Sequence, residues 1–212
     1  MAMRLQEIHP ALSHYPIALI PVSVIADALG TLTDNRSLLE VGRITMPIAA
    51  ASAALTAVAG LVAQESVKTH GDARDMLTTH RNLNIGALAV TTAMAIWRFG
   101  RRKPGAAYLA LGAATIGTLV YSAYLGGHMV YARGVGVPQA DGLRLDEAPE
   151  VRLGNAGHVA RTTGRHIREG VRHSVENLRS GPRLPTLHPE QEASEEDLRL
   201  QPRAGYDAGE HA

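Results

Sequence analysis

The chain contains no cysteine. This absence excludes disulfide bonds, cysteine ligation of an iron–sulfur cluster by this chain and cysteine catalysis, and it leaves the redox compartment undecided. The sequence also lacks a phosphate-binding loop, a nucleophile elbow, an HExxH motif and a dinucleotide fingerprint. The glycine clusters GGH at 126–128 and GVGV at 134–137 have no strand-then-helix context. A soluble-type hydrolase or an NAD-dependent enzyme is therefore disfavoured, and the protein is predicted not to be an enzyme.

Positive and negative charges are nearly balanced in the chain. The chain has 21 Lys and Arg against 20 Asp and Glu, for a formal net charge of +1. Its basic residues form no patch interleaved with aromatic residues, so no nucleic acid partner is expected. A cationic start and a small-residue cleavage site are missing too, since Arg4 stands almost alone before an apolar run that contains Pro16 and Pro21. The first helix is therefore expected to be retained and kinked rather than cleaved as a signal peptide.

Long apolar stretches are what the sequence does have. Residues 8–137 are rich in Ala, Leu, Ile, Val and Gly, whereas residues 138–212 are rich in Arg, Glu, Gly, Pro and His, which divides the chain into a transmembrane domain at 1–137 and a polar tail at 138–212. About twenty apolar residues are enough for a helix to cross the ~30 Å hydrocarbon core. The sequence therefore predicts an all-α fold, a four-helix transmembrane bundle running up-down-up-down, with a polar, partly disordered C-terminal tail. The predicted spans are 10–32, 44–63, 79–99 and 106–131.

The tail contains a weak hydrophobic repeat over about 157–178, surrounded by arginines. This pattern allows two interpretations. It is typical of a basic amphipathic helix lying on anionic headgroups, and it also fits a partly helical, solvated tail weakened by Gly164 and Gly170. Residues 180–212 are rich in Pro and Glu and are predicted to be disordered.

Four spans bring both termini to one side of the membrane, here called face A, and loops 33–43 and 98–105 to the other side, face B. Face B carries six cations in two short loops, so the positive-inside rule places it in the cytoplasm and the termini outside. All histidines before the tail fall at face A, which makes this face the predicted functional side. These histidines are His9, His14, His70, His80 and His128.

Three of the histidines, His14, His80 and His128, lie within about a turn of the interface on three different helices. Bundle interiors are where helical proteins build haem and metal sites, and imidazole suits haem iron, copper and zinc. Two of the three could ligate haem b, with glycines of the fourth helix making room, or all three could bind a transition metal. Alternatively, they are interfacial histidines that bind headgroups, water or loop backbone. No ligand-pair spacing such as HxxxH is present.

Further polar residues lie inside the predicted spans. Asn84 lies one turn beyond His80 and either orients it or holds two helices together. Tyr124 either contacts a cofactor or packs in the core. Asp27 is an intramembrane carboxylate that must be paired, protonated or hydrated, and it serves either a proton or cation step or a structural contact. Its candidate partners are Ser23, Ser52, Thr56, Arg36 and Arg43.

The segments HPALSHYPIAL at 9–19 and GGHMVYARGVGV at 126–137, together with Asp27, resemble the uncharacterised bacterial predicted membrane protein family called domain of unknown function 2231. The resemblance covers about residues 8–137 and implies a bacterial inner-membrane protein without a settled activity. Some members are joined to Rieske-type iron–sulfur domains, which implies a link to electron transfer. Position 128 is often acidic in similar sequences, so His128 departs from the family pattern. His9 and His14 are then the better-founded pair.

These observations favour a non-enzymatic integral membrane module near a redox chain, which binds haem or a metal through the face A histidines. The alternative is a cofactor-free structural or accessory subunit of a homo-oligomer or a larger membrane complex. A small proton-coupled carrier that uses Asp27 is a third hypothesis, although four short helices without broken inverted repeats are not typical of transporters. The predicted cofactor-binding residues are His9, His14, His80, His128, Asn84 and Tyr124, with His14, His80 and His128 as the metal ligands.

Overall fold

The computed structural model describes residues 3–179 of the chain. Within this range the protein is helical, and strand pairing is limited to two isolated bridges, Arg4 with Glu150 and Val67 with Leu143. The disorder predicted for 180–212 falls outside the described residues. The helices are α1 Ile8–Leu32, α2 Arg36–Ser66, α3 Gly71–Arg98, α4 Ala106–Tyr131 and α5 Ala156–Arg179.

Helices α2 and α3 extend beyond the apolar stretches that predict them. The chain reverses at Asp34, which has a positive φ of 52°. Asn35 then caps α2, because its side-chain oxygen accepts hydrogen bonds from the backbone N–H groups of Ser37 and Leu38 at 3.0 and 3.2 Å. Lys103, from the turn between α3 and α4, pairs with Asp34 and lowers the pKa of that carboxyl below its usual value. The helix reversal at face B is thus fixed by polar contacts.

Three helical segments are long and apolar enough to cross a membrane, namely α1 with the turn before it, α2 and α4. Helix α3 is not among them, although it contains the third predicted span. Its hydropathy is lowered by polar residues that recur along one side of the helix. Thr91 and Arg98 on this side are buried, whereas Ile96 on the opposite side is 71% exposed. The polar side of α3 therefore faces the protein interior.

Helices α1–α4 pack together, and we call them the helical core. Both α1 and α3 pack against α2 and α4. Helices α1 and α3 also meet across the interior at two levels, where His9 contacts His80 and Asp27 binds Arg98. Both pairs are 71 residues apart in sequence. The equal separation means that α1 and α3 run in the same direction.

The outer surface of the helical core is apolar. Ile25, Ile44 and Val120, on three different helices, are each more than half exposed. Soluble monomers rarely expose contiguous apolar surface of this kind, whereas hydrocarbon accommodates it. Inside, one cluster of buried residues consists of Val24, Met46, Met94, Ala95 and Tyr108, and a second of Ala73, Met76, Leu125, Met129 and Val135.

The segment between α4 and α5 folds back over the face A end of the helical core. It leaves α4 through Gly134 and Gly136, whose φ values of 65° and 77° are readily adopted only by glycine. Arg144 then donates its backbone N–H to the carbonyl of Ser66 at 2.8 Å, and the Ser66 hydroxyl donates to the carbonyl of Glu147 at 2.9 Å. These bonds tie the segment to the end of α2.

Candidate functional site

Two histidines from different helices meet in the interior of the helical core. His9 lies in the first turn of α1, and His80 lies in α3. Their ring centroids are 6.3 Å apart and their ring planes are at 88°, so one ring meets the other edge to face. Both residues are mostly buried. The structure therefore brings together two of the predicted cofactor-binding residues.

Each imidazole is oriented by a backbone carbonyl of a neighbouring helix. Nδ1 of His9 lies 3.1 Å from the carbonyl oxygen of Thr56 in α2, and Nδ1 of His80 lies 2.8 Å from that of Ser122 in α4. Because a carbonyl oxygen only accepts, Nδ1 carries the proton in both rings and Nε2 bears a lone pair. Histidines that ligate metals usually have their other nitrogen held in this way.

Asn84 contributes to the site through Ser122. Its side-chain amide donates to the Ser122 hydroxyl at 2.7 Å and to the backbone carbonyl of His80 at 2.7 Å. The same hydroxyl lies 3.0 Å from Nδ1 of His80. Asn84 therefore fixes a hydroxyl that contacts the His80 ring, and it joins α3 to α4 at the same time.

A glycine lies against each of the two rings. A Cβ atom on Gly60 would lie 3.1 Å from Cε1 of His9, and one on Gly126 would lie 3.2 Å from Cε1 of His80. Each glycine comes four residues after the residue whose carbonyl holds the ring, so both halves of the site are built alike. Gly126, expected to make room for a cofactor, is instead covered by the His80 ring.

The other predicted site residues lie away from this pair. His14 is exposed on α1. His128 stacks on Tyr124 at a centroid distance of 5.8 Å, and Tyr124 is 54% exposed on the outside of α4. The structure does not bring His14, His80 and His128 together. Within residues 3–179, no group of three or more His, Cys, Asp or Glu side chains is arranged to hold a metal ion.

A buried ion pair lies at the opposite end of the helical core. The side chains of Asp27 and Arg98 are 0% and 1% exposed. Nε of Arg98 donates to both carboxylate oxygens of Asp27 at 3.1 Å, and Nη2 donates to Oδ1 at 2.9 Å. Such a two-pronged arrangement is the strong form of a guanidinium–carboxylate pair. The carboxylate is thereby paired within the protein, and its partner is neither Arg36 nor Arg43.

Four helices contribute to the surroundings of this ion pair. Nη2 of Arg98 also donates to the carbonyl of Leu39 in α2 at 3.0 Å, and Nη1 donates to the carbonyl of Arg101 beyond α3. The Tyr108 hydroxyl of α4 is buried beside Asp27 but does not reach hydrogen-bond geometry. Gly42 of α2 leaves the space for the carboxylate, because a Cβ atom there would lie 2.4 Å from Cγ and Oδ1 of Asp27.

Sequence reasoning missed Arg98 as a site residue. Arg98 lies at the end of the third apolar stretch. A cation at the end of a predicted span is ordinarily assigned to the following loop. The available signal was its spacing, since His80, Asn84, Thr91 and Arg98 follow one another at intervals of four and seven residues. These intervals keep all four residues on one side of a helix.

Long apolar helices with an apolar outer surface, and a fully buried ion pair between two of the helices, define the class: an all-helical integral membrane protein. The model of the family described as "Predicted membrane protein (DUF2231)" matches residues 6–139. The match covers more than half of the chain, and the protein belongs to this family, which confirms the resemblance of its sequence motifs. No curated protein and no solved structure matches the chain.

Proposed function

We propose that the protein is a non-enzymatic membrane module in which His9 and His80 hold one transition-metal ion, close to a membrane electron-transfer chain. The observation that carries the proposal is the pair of interior imidazoles, each with Nδ1 held by a backbone carbonyl. Two imidazoles bound to one ion at about 2 Å have ring centroids roughly 6 Å apart or less. The observed centroid distance of 6.3 Å is slightly beyond this range, so the two rings would have to move closer together to bind the ion.

Haem b fits this pair of histidines less well than a bare ion. The rings are in edge-to-face contact, and they cover the glycines beside them, Gly60 and Gly126. Gly117, a further candidate for cofactor space, lies on the exposed side of α4. A porphyrin would therefore require α1 and α3 to move apart.

The residues around the pair have separate roles in holding an ion. His9 and His80 supply nitrogen ligands, and the carbonyls of Thr56 and Ser122 fix the ring orientations. Two protein ligands leave positions for water or for a ligand from outside the described residues. Copper or iron would supply one-electron chemistry at this position, and zinc would supply a cross-link between α1 and α3.

Metal analysis of the purified protein tests the site. Protein expressed with added copper, iron and zinc should retain about one equivalent of one metal in detergent. His9→Ala and His80→Ala should each lose that metal, because one imidazole alone holds an ion weakly. His14→Ala is the matched control, since His14 is exposed on the same helix as His9, and it should retain the metal.

Three results would contradict the proposal. A folded wild-type protein without stoichiometric metal would do so, and so would metal that survives both His9→Ala and His80→Ala. A Soret band that both substitutions abolish would show that the pair opens to take haem, which overturns the bare-ion site while keeping the two ligands.

The proposed module crosses the membrane four times, up-down-up-down, with the polar side of α3 turned toward the interior and Ile96 on its outer side facing lipid. Its turn between α3 and α4, with Arg101, Arg102 and Lys103, would face the cytoplasm of a bacterial inner membrane. The arginines of α5 lie on the other face, but they begin about thirty residues after α4, beyond the distance over which the positive-inside rule counts charges.

Single-cysteine labelling tests this orientation. Because the chain has no cysteine of its own, Arg102→Cys and Asp146→Cys each carry a single thiol on opposite faces. In intact cells stripped of the outer membrane, an impermeant maleimide should label Asp146→Cys and not Arg102→Cys. The reverse pattern would place the termini in the cytoplasm.

A cofactor-free accessory subunit is the second candidate, favoured by the polar contacts that join the helices in the interior. Asp27 is bound by Arg98, and the imidazoles of His9 and His80 are each held by a backbone carbonyl. Such a protein would serve a homo-oligomer or a larger complex through its apolar outer surface. Co-purification with other membrane subunits, unchanged by His9→Ala, would support it. The carrier hypothesis loses support, because the Asp27 carboxylate is committed to Arg98.

A further inference from the structure

Helix α5 packs on the helical core through a polar side. Its buried residues recur every four positions and are Thr162, His166, Gly170 and Ser174. At Gly170 the two helices touch, because a Cβ atom there would lie 2.7 Å from Nε2 of Gln64 and 2.8 Å from the carbonyl oxygen of Leu61 in α2. The apolar residues of α5 are therefore not the ones that attach it to the protein.

Two histidine–glutamate contacts show how α5 is oriented. Nε2 of His166 lies 2.9 Å from Glu147, whose carbonyl is held by Ser66 at the end of α2. Nδ1 of His173 lies 3.0 Å from Glu65. Seven residues of helix advance by about 10 Å, yet the first contact is to a segment tied to the end of α2 and the second is to the last turn of α2. Helix α5 therefore crosses the end of α2 instead of running along it, and it lies near the membrane plane if α2 spans the bilayer.

The free surface of α5 is amphipathic. Val171, Val175 and Leu178 are 47%, 41% and 56% exposed. At about 100° per residue, this apolar strip lies between the side that packs on the core and a side rich in arginine. The exposed arginines are Arg161, Arg165, Arg168, Arg172 and Arg179.

We propose that α5 is a membrane-surface helix that binds anionic phospholipid in the bilayer crossed by the helical core. The apolar strip enters the boundary of the acyl chains, and the arginines bind lipid phosphates. Charge complementarity favours this partner, because Arg161 and Arg168 have no ion-pair partner within residues 3–179. Leu145 and Leu153, on the segment before α5, add exposed apolar side chains at the same end of the protein. This surface is independent of His9 and His80.

The test uses single cysteines in the full-length chain, which has none of its own. Val171→Cys reports on the apolar strip, and Glu176→Cys, 61% exposed on another side of the same helix, is the matched control. Each variant is labelled with an environment-sensitive fluorophore and reconstituted into nanodiscs with or without phosphatidylglycerol. A nitroxide on the lipid acyl chains should quench the label at 171 and not at 176, and phosphatidylglycerol should strengthen the quenching.

Charge variants separate lipid electrostatics from apolar insertion alone. Arg161→Gln and Arg168→Gln should each lower the equilibrium constant for binding of α5 to the lipid by about fivefold, with a similar loss at high salt. Arg101→Gln, in the turn on the opposite face, should leave lipid binding by α5 unchanged.

The proposal is overturned if the two labels are quenched equally or if phosphatidylglycerol has no effect on the quenching. It is also overturned if the label at 171 is shielded from both lipid and aqueous quenchers, since another part of the chain or a protein partner then covers the strip.

Discussion

Arg98→Ala is expected to lower the free energy of unfolding by about 3–5 kcal/mol. The substitution leaves the Asp27 carboxylate, which is 0% exposed, without its cation and without three hydrogen bonds. It also removes the donors to the carbonyls of Leu39 and Arg101. Reversible unfolding of the purified protein in mixed micelles of mild detergent and dodecyl sulfate measures the change.

Arg43→Ala is the matched control for this experiment. Arg43 pairs with Glu40 at the surface, where the two side chains are 53% and 49% exposed, and such pairs contribute about 1 kcal/mol or less. The double substitution Asp27→Leu with Arg98→Met should recover most of the loss, because two apolar side chains replace the buried charges. An Arg98→Ala protein as stable as Arg43→Ala would show that the ion pair does not hold the helices together.

Gly42→Ala is expected to cost about 1–3 kcal/mol, because the added methyl group overpacks the interior at Asp27. The new Cβ would lie 2.4 Å from Cγ of Asp27, so the carboxylate must move and its bonds to Arg98 must lengthen. Ser23 donates to the Gly42 carbonyl at 2.9 Å, which limits how far α2 can shift in response. The same unfolding assay in micelles measures this loss.

Gly117→Ala serves as the control for glycine replacement in a helix. No atom lies within 4 Å of a Cβ built on Gly117, so this variant should be neutral or more stable by up to about 1 kcal/mol. In a background that carries Asp27→Ala and Arg98→Met, Gly42→Ala should lose most of its cost, since the clashing carboxylate is gone. If Gly42→Ala lowers the free energy of unfolding equally in that double variant, the destabilisation does not come from the clash with the Asp27 carboxylate.

The membrane character of the chain could be predicted because it depends on hydropathy summed over about twenty residues. Helix α4 begins and ends where its apolar stretch does, since Pro104 and Gly105 precede it and the glycine-rich exit follows. Helices α2 and α3 are longer than their apolar stretches, because polar turns outside the hydrocarbon remain helical. Helix α3 is not among the helices that are apolar enough to span a membrane, because its apolar stretch also contains polar residues such as Thr91 and Arg98, which are buried.

Much less of the candidate site could be predicted. Single residues were identifiable, because an ionisable group within an apolar stretch needs a partner or a function. Which residues meet depends on the rotation of each helix about its axis, and one residue of slip turns a side chain by about 100°. His9 therefore could not be matched with His80 in advance. Ser23 and Thr56, candidate partners of Asp27, instead donate to the carbonyls of Gly42 and Leu12.

The two contacts between α1 and α3, which have the same sequence separation, determine which helical hairpins can pair with each other. Helices α1 and α2 form one helical hairpin, and α3 and α4 form another. Asp27 in the first hairpin contacts Arg98 in the second, and His9 in the first contacts His80 in the second. Two copies of the first hairpin would bury carboxylate against carboxylate, and two copies of the second would bury guanidinium against guanidinium. Only the unlike combination neutralises the charge in the protein interior. The ion pair thus makes each hairpin select a hairpin of the other kind, and it disfavours the pairing of like hairpins from neighbouring molecules.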